Sequence, residues 1–321
     1  ASPAQCADVC DEAGTLAGPL QIGSPQRTPN IRAPGNRNRM GTSMAVAGDT
    51  AMVYINADSW DDPDAIEVYG RRDDGWARNW LLRPEGRSIS DKYGLGLAMT
   101  ENNVFVGAPN HSIEFGVRGI VYVFEAANPG WSQTTTLIPS EHHRGFGSAI
   151  AADGNRVIIG APRHPDRDDW QHGAYIFENI DGTWTEVAQL VGDDVGPDDG
   201  FGKNVAIHGD TALVSAELKS IGAANGAGAV YVFERGEAGW RQTAQIVAPE
   251  PVANGRFGSA GGNSEFDPGT AIALHGDNAA IAAVFGAQGA VYTFQRSGEQ
   301  WQLTARLTGP DEAANDGFGR S

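Results

Sequence analysis

The sequence repeats itself with a period of just over fifty residues. Each unit opens with an aromatic residue, or Met in the first unit, followed by Gly, and successive openings stand 53, 53, 55, 56 and 61 residues apart. A repeat of this length is one supersecondary unit that cannot bury its apolar faces alone, so the copies must pack against one another. The openings are Met40-Gly41, Tyr93-Gly94, Phe146-Gly147, Phe201-Gly202, Phe257-Gly258 and Phe318-Gly319.

Each unit predicts four short β-strands, A to D. Two apolar runs flank a tight polar turn such as Gly209-Asp210-Thr211, which indicates a hairpin of strands A and B. A third run, such as Val230 to Phe233, is rich in β-branched and aromatic residues and predicts strand C. A Trp recurs ten or eleven residues after the start of strand C. Apolar residues four and six positions after that Trp predict one packed face on strand D.

Radial stacking of such four-stranded sheets predicts an all-β fold, a β-propeller of four-stranded antiparallel blades, which also protects most sheet edges. Five repeats are complete, and residues 311–321 start a sixth. Two interpretations stay open: the chain is part of a larger ring of six or seven blades, or its termini close a smaller one. Residues 1–39 form an N-terminal segment with a candidate ring-closing strand at 19–23. The repeats span residues 40–92, 93–145, 146–200, 201–256 and 257–310.

Composition excludes several classes of partner. Forty Asp and Glu against 23 Lys and Arg give a net charge of -17, which repels nucleic acid and anionic membrane surfaces. The sequence contains no run of about twenty apolar residues, so it predicts no membrane span. The chain begins with Ala1 rather than Met, which suits an exported protein after signal-peptide removal, so we expect it to be secreted or on the cell surface. The only cysteines, Cys6 and Cys10, lack zinc-site spacing and predict either a local disulfide or two free thiols.

These motifs resemble those of FG-GAP repeat proteins, the class that also forms the β-propeller of integrin α subunits. Besides the Phe-Gly openings, Gly107-Ala108-Pro109 and Gly160-Ala161-Pro162 match the second half of the motif, and Asp199-Gly200-Phe201-Gly202 looks like a bacterial subgroup. The resemblance covers residues 40–321 and implies seven blades and calcium-binding loops. Calcium is the one cofactor that it suggests, although the spacing of the acidic residues departs from the family pattern. The candidate ligands are Asp166, Asp168 and Asp169.

The loops divide between two faces of the predicted propeller. The A–B and C–D turns are tight and nearly identical, whereas the B–C loops and the loops between blades differ in length and share the other face. Variable loops on a rigid scaffold usually carry function. Aromatic rings there suit stacking on a sugar, and histidines suit acid–base or metal chemistry. Aromatic residues that only pack under their own loops would give the same sequence pattern. The ligand-binding candidates are Trp60, Phe115, His142, His143, His164, Trp170 and His172.

Three functions follow as hypotheses. The leading one is an extracellular binding or adhesion module that recognises a glycan or a protein through the variable loops. The second is a secreted lyase or hydrolase that degrades polysaccharide with a His-rich site on the same face. The third is a structural component of a surface assembly. Phosphate loops, nucleophile elbows and zinc-protease motifs are absent from the sequence, which favours binding over catalysis.

Overall fold

The computed structural model describes residues 39–56, 64–73, 75–84, 91–113, 116–117, 119–141, 145–162, 172–260, 271–285, 288–309 and 318–319. In these residues the chain folds into β-strands that form five four-stranded antiparallel sheets. The sheets are the five blades of a β-propeller, which confirms the predicted fold class. A small extra hairpin, β7 (Ser112–Ile113) with β8 (Gly116–Val117), lies in the B–C loop of blade 2.

Each blade uses its strands in the predicted order, with strand A at one edge and strand D at the other. The strands are β1 (Arg39–Ala47), β2 (Thr50–Asn56), β3 (Ala65–Arg72) and β4 (Gly75–Leu82) in blade 1; β5 (Leu97–Met99), β6 (Asn103–Ala108), β9 (Ile120–Ala126) and β10 (Trp131–Leu137) in blade 2; β11 (Ala149–Asp153), β12 (Arg156–Ala161), β13 (Gly173–Ile180) and β14 (Thr183–Leu190) in blade 3; β15 (Phe201–His208), β16 (Thr211–Ala216), β17 (Ala229–Gly236) and β18 (Gly239–Ile246) in blade 4; and β19 (Ile272–His275), β20 (Asn278–Phe285), β21 (Gln288–Ser297) and β22 (Gln300–Thr308) in blade 5.

The A strands line the centre of the propeller. Successive A strands contact one another, β1 with β5, β5 with β11, β11 with β15 and β15 with β19. The A–B and C–D turns therefore share one face, and the B–C and inter-blade loops share the other. On the turn face, ion pairs link neighbouring blades: Arg156 bonds Asp210 at 2.8 Å, and Arg296 bonds Glu234 at 2.6 Å.

The aromatic residue of each opening is the centre of a junction between blades. Phe146, Phe201 and Phe257 are fully buried, and their rings lie edge-on to the Tyr of strand C in their own blade at 5.5 to 5.7 Å. The following Gly147 has φ +93°, and its carbonyl oxygen approaches Gly107 of blade 2 so closely that a Cβ there would clash. The Phe-Gly and Gly-Ala-Pro motifs thus meet across the junction, where only Gly allows the backbones so near.

A β-bulge interrupts strand D of every blade. In blade 3 the pairing with strand C shifts between Ile176 and Phe177, so Val187 has no partner, and the other four blades shift at the equivalent position. The extra residue reverses which face the following side chains occupy. Trp184 packs toward blade 2, against Phe105 at 5.0 Å, whereas Leu190 packs toward blade 4. In blades 2 to 5 the repeated Trp packs against a core cluster, and in blade 3 it does so on the opposite face from the Leu that follows.

The last apolar residue of strand D is buried in blades 1 to 4 and exposed in blade 5. Leu82, Leu137, Leu190 and Ile246 hold this position in blades 1 to 4, and each is covered by the next blade and only 2% to 5% exposed. Leu307 holds it in blade 5 and is 47% exposed. Phe318-Gly319 packs against Gly289 of blade 5 as the other openings pack on the blades before them.

This difference gives a matched pair of stability predictions. We expect Leu190→Ala to lower the free energy of unfolding by about 2 to 5 kcal/mol, because it leaves a cavity in a closed junction. Leu307→Ala should change it by less than about 1 kcal/mol, because the side chain already meets solvent. Urea unfolding of both variants tests this, and equal losses would show that the end of blade 5 is covered in solution.

Candidate functional site

Most of the predicted site residues lie outside the described residues. These are Trp60, Phe115, His142, His143, His164 and Trp170 among the ligand-binding candidates, Asp166, Asp168 and Asp169 for calcium, Cys6 and Cys10, and the strand at 19–23. They stay predictions. His172 is described: it precedes β13 and its ring lies 6.0 Å from Phe201, at an interplanar angle of 63°. This contact places the half-buried imidazole at the junction of blades 3 and 4.

On the loop face of blade 2, a side-chain hydrogen bond joins two loops. His111 follows strand B, and its Nδ1 lies 2.7 Å from Oδ2 of Asp91, a buried residue in the loop between blades 1 and 2. The backbone amide of Asn110 donates to the carbonyl of Asp91 at 3.1 Å, and the His111 ring also contacts Tyr122. We call Asp91 and His111 the blade 2 latch, because the pair joins the inter-blade loop to the B–C loop.

Blade 4 carries a second latch at the equivalent place. Nζ of Lys219 lies 3.2 Å from Oδ2 of Asp199, and the amide of Leu218 donates to the carbonyl of Asp199 at 2.9 Å. Asp91 and Asp199 each stand two residues before the aromatic-Gly pair, and His111 and Lys219 each stand three residues after strand B. Because one blade uses imidazole and the other an ammonium group, the shared role is to fix the loops rather than to transfer a proton.

Sequence reasoning missed both latches. It assigned no partner to His111 or Lys219, and it named Asp199 only as part of the Asp199-Gly200-Phe201-Gly202 motif. The signal was available in the repeat itself, since aligning the units places an acidic residue opposite a basic one in blades 2 and 4. Among the described residues, no group of three or more His, Cys, Asp or Glu side chains is placed to hold a metal ion.

A hydrogen-bonded cluster extends the blade 4 latch toward blade 3. The hydroxyl of Tyr231 donates to Oδ1 of Asp194 at 2.5 Å, and Nζ of Lys219 lies 3.4 Å from Oδ2 of the same residue. The hydrogen bond from Tyr231 and then the charge of Lys219 lower the pKa of Asp194, against the effect of its partial burial. Burial, followed by the bond to Asp194, raises the pKa of Tyr231. Asp194 is therefore ionised and Tyr231 neutral at pH 7.

Glu217 is the one described residue on this face with a buried carboxyl oxygen that has no hydrogen-bond partner. It is 8% exposed, and its Oε2 atom is fully buried without a hydrogen-bond partner. It takes the place of Pro109 and Pro162 in the Gly-Ala-Pro motif of blades 2 and 3. An unsatisfied buried polar group costs about 1 to 3 kcal/mol, more when it is charged. A residue that lowers stability in this way is expected at functional sites more than elsewhere.

The loops around blade 4 are also joined through their backbones. The amides of Asn254, Arg256 and Phe257 donate to the carbonyls of Asn225, Gly226 and Ala227, at 2.8 to 3.1 Å. These bonds tie the loop between blades 4 and 5 to the B–C loop of blade 4. Arg256 adopts φ +47°, at the position that Gly145 and Gly200 hold in blades 3 and 4. The described loop face is thus a set of irregular loops fixed to one another.

These features define a β-propeller whose described loops are irregular and are joined to one another by hydrogen bonds. The family model for the FG-GAP repeat matches residues 131–177 and 184–233. FG-GAP repeats therefore lie within this β-propeller at residues 131–177 and 184–233, as the motifs predicted. No curated protein matches it in sequence. In the described residues, no helix is long and apolar enough to cross a membrane.

Solved structures share the fold at low sequence identity. A prolyl endopeptidase structure has a TM-score of 0.51 at 14% identity, over 85% of this chain and 34% of its own, so the chain spans about a third of that enzyme. A protein from Lactobacillus plantarum has a TM-score of 0.53 at 13% identity, over 84% of this chain and 71% of its own. The Aleuria aurantia lectin with bound methyl fucoside gives 0.45 at 10% identity, over 84% and 78%. At such identities the similarity extends to the fold alone.

Restoring the motif at Glu217 should stabilise the protein. We expect Glu217→Pro to raise the free energy of unfolding by about 1 kcal/mol or more, because it removes a buried carboxylate oxygen that has no partner. Leu218→Pro is the matched control and should destabilise, because it deletes the amide that bonds Asp199. Urea midpoints of the two variants test this, and a loss of stability in Glu217→Pro would contradict it.

Buried tyrosines should make the fold sensitive to alkali. The pKa values of Tyr175 and Tyr231 are raised mainly by burial. The stability that these neutral phenols contribute is therefore complete below about pH 10, the ordinary pKa of Tyr, and is lost as the pH rises above it. Urea midpoints should fall between about pH 9 and about pH 11. The fall should be smaller in Tyr175→Phe and Tyr231→Phe; an unchanged slope in both variants would refute the assignment.

Proposed function

We propose that the chain is an extracellular binding module that recognises a glycan or a protein through its B–C and inter-blade loops. The observation that carries the proposal is that the described loops of this face are irregular in sequence but fixed in position. The latches at Asp91 and Asp199 and the backbone bonds around Asn254 hold loops of different sequence in place before any ligand arrives. Loops that are already ordered lose little entropy on binding, which favours affinity.

The charge of the face narrows the ligand class. The imidazole of His111 contacts Asp91 and the ammonium group of Lys219 contacts Asp194 and Asp199, so these two residues are engaged within the protein. With a net charge of -17, the chain would repel a polyanion. A neutral glycan or an uncharged or basic protein surface fits better. The predicted aromatic residues Trp60, Phe115 and Trp170 would supply the stacking surface that a sugar ring requires.

A glycan array followed by calorimetry tests the proposal. We expect the protein to bind at least one neutral glycan, and Trp60→Ala with Trp170→Ala to weaken that binding by about tenfold or more, because each removes a stacking ring. Glu237→Ala, in the C–D turn of blade 4 on the opposite face, is the control and should bind as the parent does. Unchanged affinity in the Trp variants would exclude the sugar-stacking version.

The latches provide a separate test that does not depend on the aromatic residues. Lys219→Ala should loosen the B–C loop of blade 4 and weaken binding to whichever glycan or protein is captured, while the far-ultraviolet circular dichroism stays that of the folded propeller. His111→Lys should retain binding, because blade 4 shows that an ammonium group can make the same latch. Polysaccharide cleavage that disappears in His164→Ala would instead favour the enzyme hypothesis.

A further inference from the structure

Two histidines meet on the turn face of the propeller, on the opposite side from the loop face. His208 is the last residue of strand A in blade 4, and His275 is the last residue of strand A in blade 5. Their ring centroids lie 4.7 Å apart, at an interplanar angle of 53°. The side chain of His208 is 37% exposed and His275 is also exposed, so both imidazoles reach solvent. The pair is therefore an accessible contact between two neighbouring blades.

The fold does not require histidine at this position. The residue directly before the A–B turn is Ala47 in blade 1, Thr100 in blade 2 and Asp153 in blade 3. Three blades thus form with an apolar, a hydroxyl and an acidic side chain there. Packing and turn geometry give no reason for an imidazole in both of the next two blades.

The strands explain why these two side chains meet. Strands A of blades 4 and 5 contact each other. Ala206 belongs to the core between these blades, and side chains two residues apart on a strand share a face. His208 is therefore directed toward blade 5, where His275 ends the neighbouring strand A.

The distance between the two rings suits binding of a single metal ion. In a site with a metal–nitrogen distance of about 2.1 Å and an angle of about 90° to 110° at the metal, two imidazole centres lie about 4.6 to 5.3 Å apart. The observed 4.7 Å falls within this range. Parallel rings would direct their lone pairs along separate planes, whereas rings tilted by 53° can direct both toward one ion.

A carboxylate lies beside the other ring nitrogen of His208. Oδ2 of Asp153 is 3.9 Å from Nδ1 of His208 and accepts a hydrogen bond from the amide of Gly209 at 2.6 Å. A carboxylate near Nδ1 favours the tautomer with the proton on that atom, which leaves the lone pair of Nε2 for a metal. Asp153 is thus an orienting group rather than a third ligand, in agreement with the absence of a three-residue metal cluster among the described residues.

The charges around the pair favour a cation. The arginines that contact the two adjoining turns are each paired with a turn carboxylate, Arg156 with Asp210 and Arg296 with Asp277. Their charges are therefore balanced locally. The net charge of -17 attracts cations to the protein as a whole.

We propose that His208 and His275 form a binding site for a divalent transition-metal ion such as Zn²⁺ or Cu²⁺. The two imidazoles supply two ligands, and water or a group from another molecule supplies the others. Imidazole is a preferred ligand of these ions, whereas Ca²⁺ and Mg²⁺ prefer oxygen. The site therefore differs in face, in ligand type and in ion from the calcium loops that the sequence suggested.

Calorimetric titration of the untagged full chain with ZnCl₂ at about pH 7.5 tests the site. We expect His208→Gln and His275→Gln each to weaken Zn²⁺ binding by about tenfold or more, because each variant keeps only one of the two imidazoles. An excess of Ca²⁺ should not compete. Absence of Zn²⁺ binding to the parent chain would overturn the proposal. Unchanged affinity in either Gln variant would also overturn it and would assign the ion to other histidines.

Asn278→Ala is the matched control for this titration. Asn278 pairs with His275 across the A–B hairpin of blade 5 and is exposed, but it is not a ligand in the proposed site. Its substitution should leave Zn²⁺ affinity unchanged. Far-ultraviolet circular dichroism of all three variants should stay that of the parent, which separates loss of a ligand from loss of the fold.

Nuclear magnetic resonance with paramagnetic Cu²⁺ locates the ion independently. Substoichiometric Cu²⁺, which imidazole binds more tightly than Zn²⁺, should broaden the amide signals of Gly209 and Gly276, the residues after the two histidines. Gly48 holds the same turn position in blade 1, after Ala47, and should keep its signal. In His208→Gln the signal of Gly276 should recover. Broadening of Gly276 that is equally strong in the parent and in His208→Gln would overturn the shared site.

Discussion

Face-to-face packing of blades is the constraint on which the rest of the structure depends. A four-stranded sheet of this size has two apolar faces, and each face can leave water only against another sheet. The openings meet this requirement with one large ring per junction, at Phe146, Phe201 and Phe257, and with glycines that let the backbones come close. Because both faces of each interior blade are buried in this way, residue types can vary freely only on the turn face and the loop face of the propeller.

The turn face and the loop face differ in how tightly the sheets constrain the length of their connections. On the turn face, each connection is as short as an antiparallel pair allows, and ion pairs such as Arg156–Asp210 bridge neighbouring blades. On the loop face, the chain must travel from one blade to the next or from strand B to strand C, and the length of that path is not fixed by the sheets. The latches at Asp91 and Asp199 restore order there, each through one contact between a carboxyl group and a side-chain nitrogen. The loop sequences can therefore vary while the loops keep their positions.

The repeat allowed the sequence to predict the order of strands within a blade and five complete four-stranded units, because periodicity records local pairing and average burial. It did not predict the bulge at Val187. The residues before and after the extra residue each still alternate as in a regular strand, so the apolar pattern does not show where the register shifts. Nor did it predict that Lys219 meets Asp199 or that Glu217 is buried without a partner. Those contacts depend on how loops distant in sequence approach one another. Trp60 and Trp170 lie outside the described residues, and their role in ligand binding stays a hypothesis.

The bulge in strand D has a consequence for how such rings arise. By turning Trp184 toward one neighbour and Leu190 toward the other, it makes the two sides of a blade chemically different, so one blade fits only the opposite side of the next. Such head-to-tail contacts are heterologous, and they allow growth in one rotational sense until the ring closes. In a closed ring the rotations at all junctions must sum to one full turn, so the angle that these contacts set between neighbouring blades determines how many units the ring can hold.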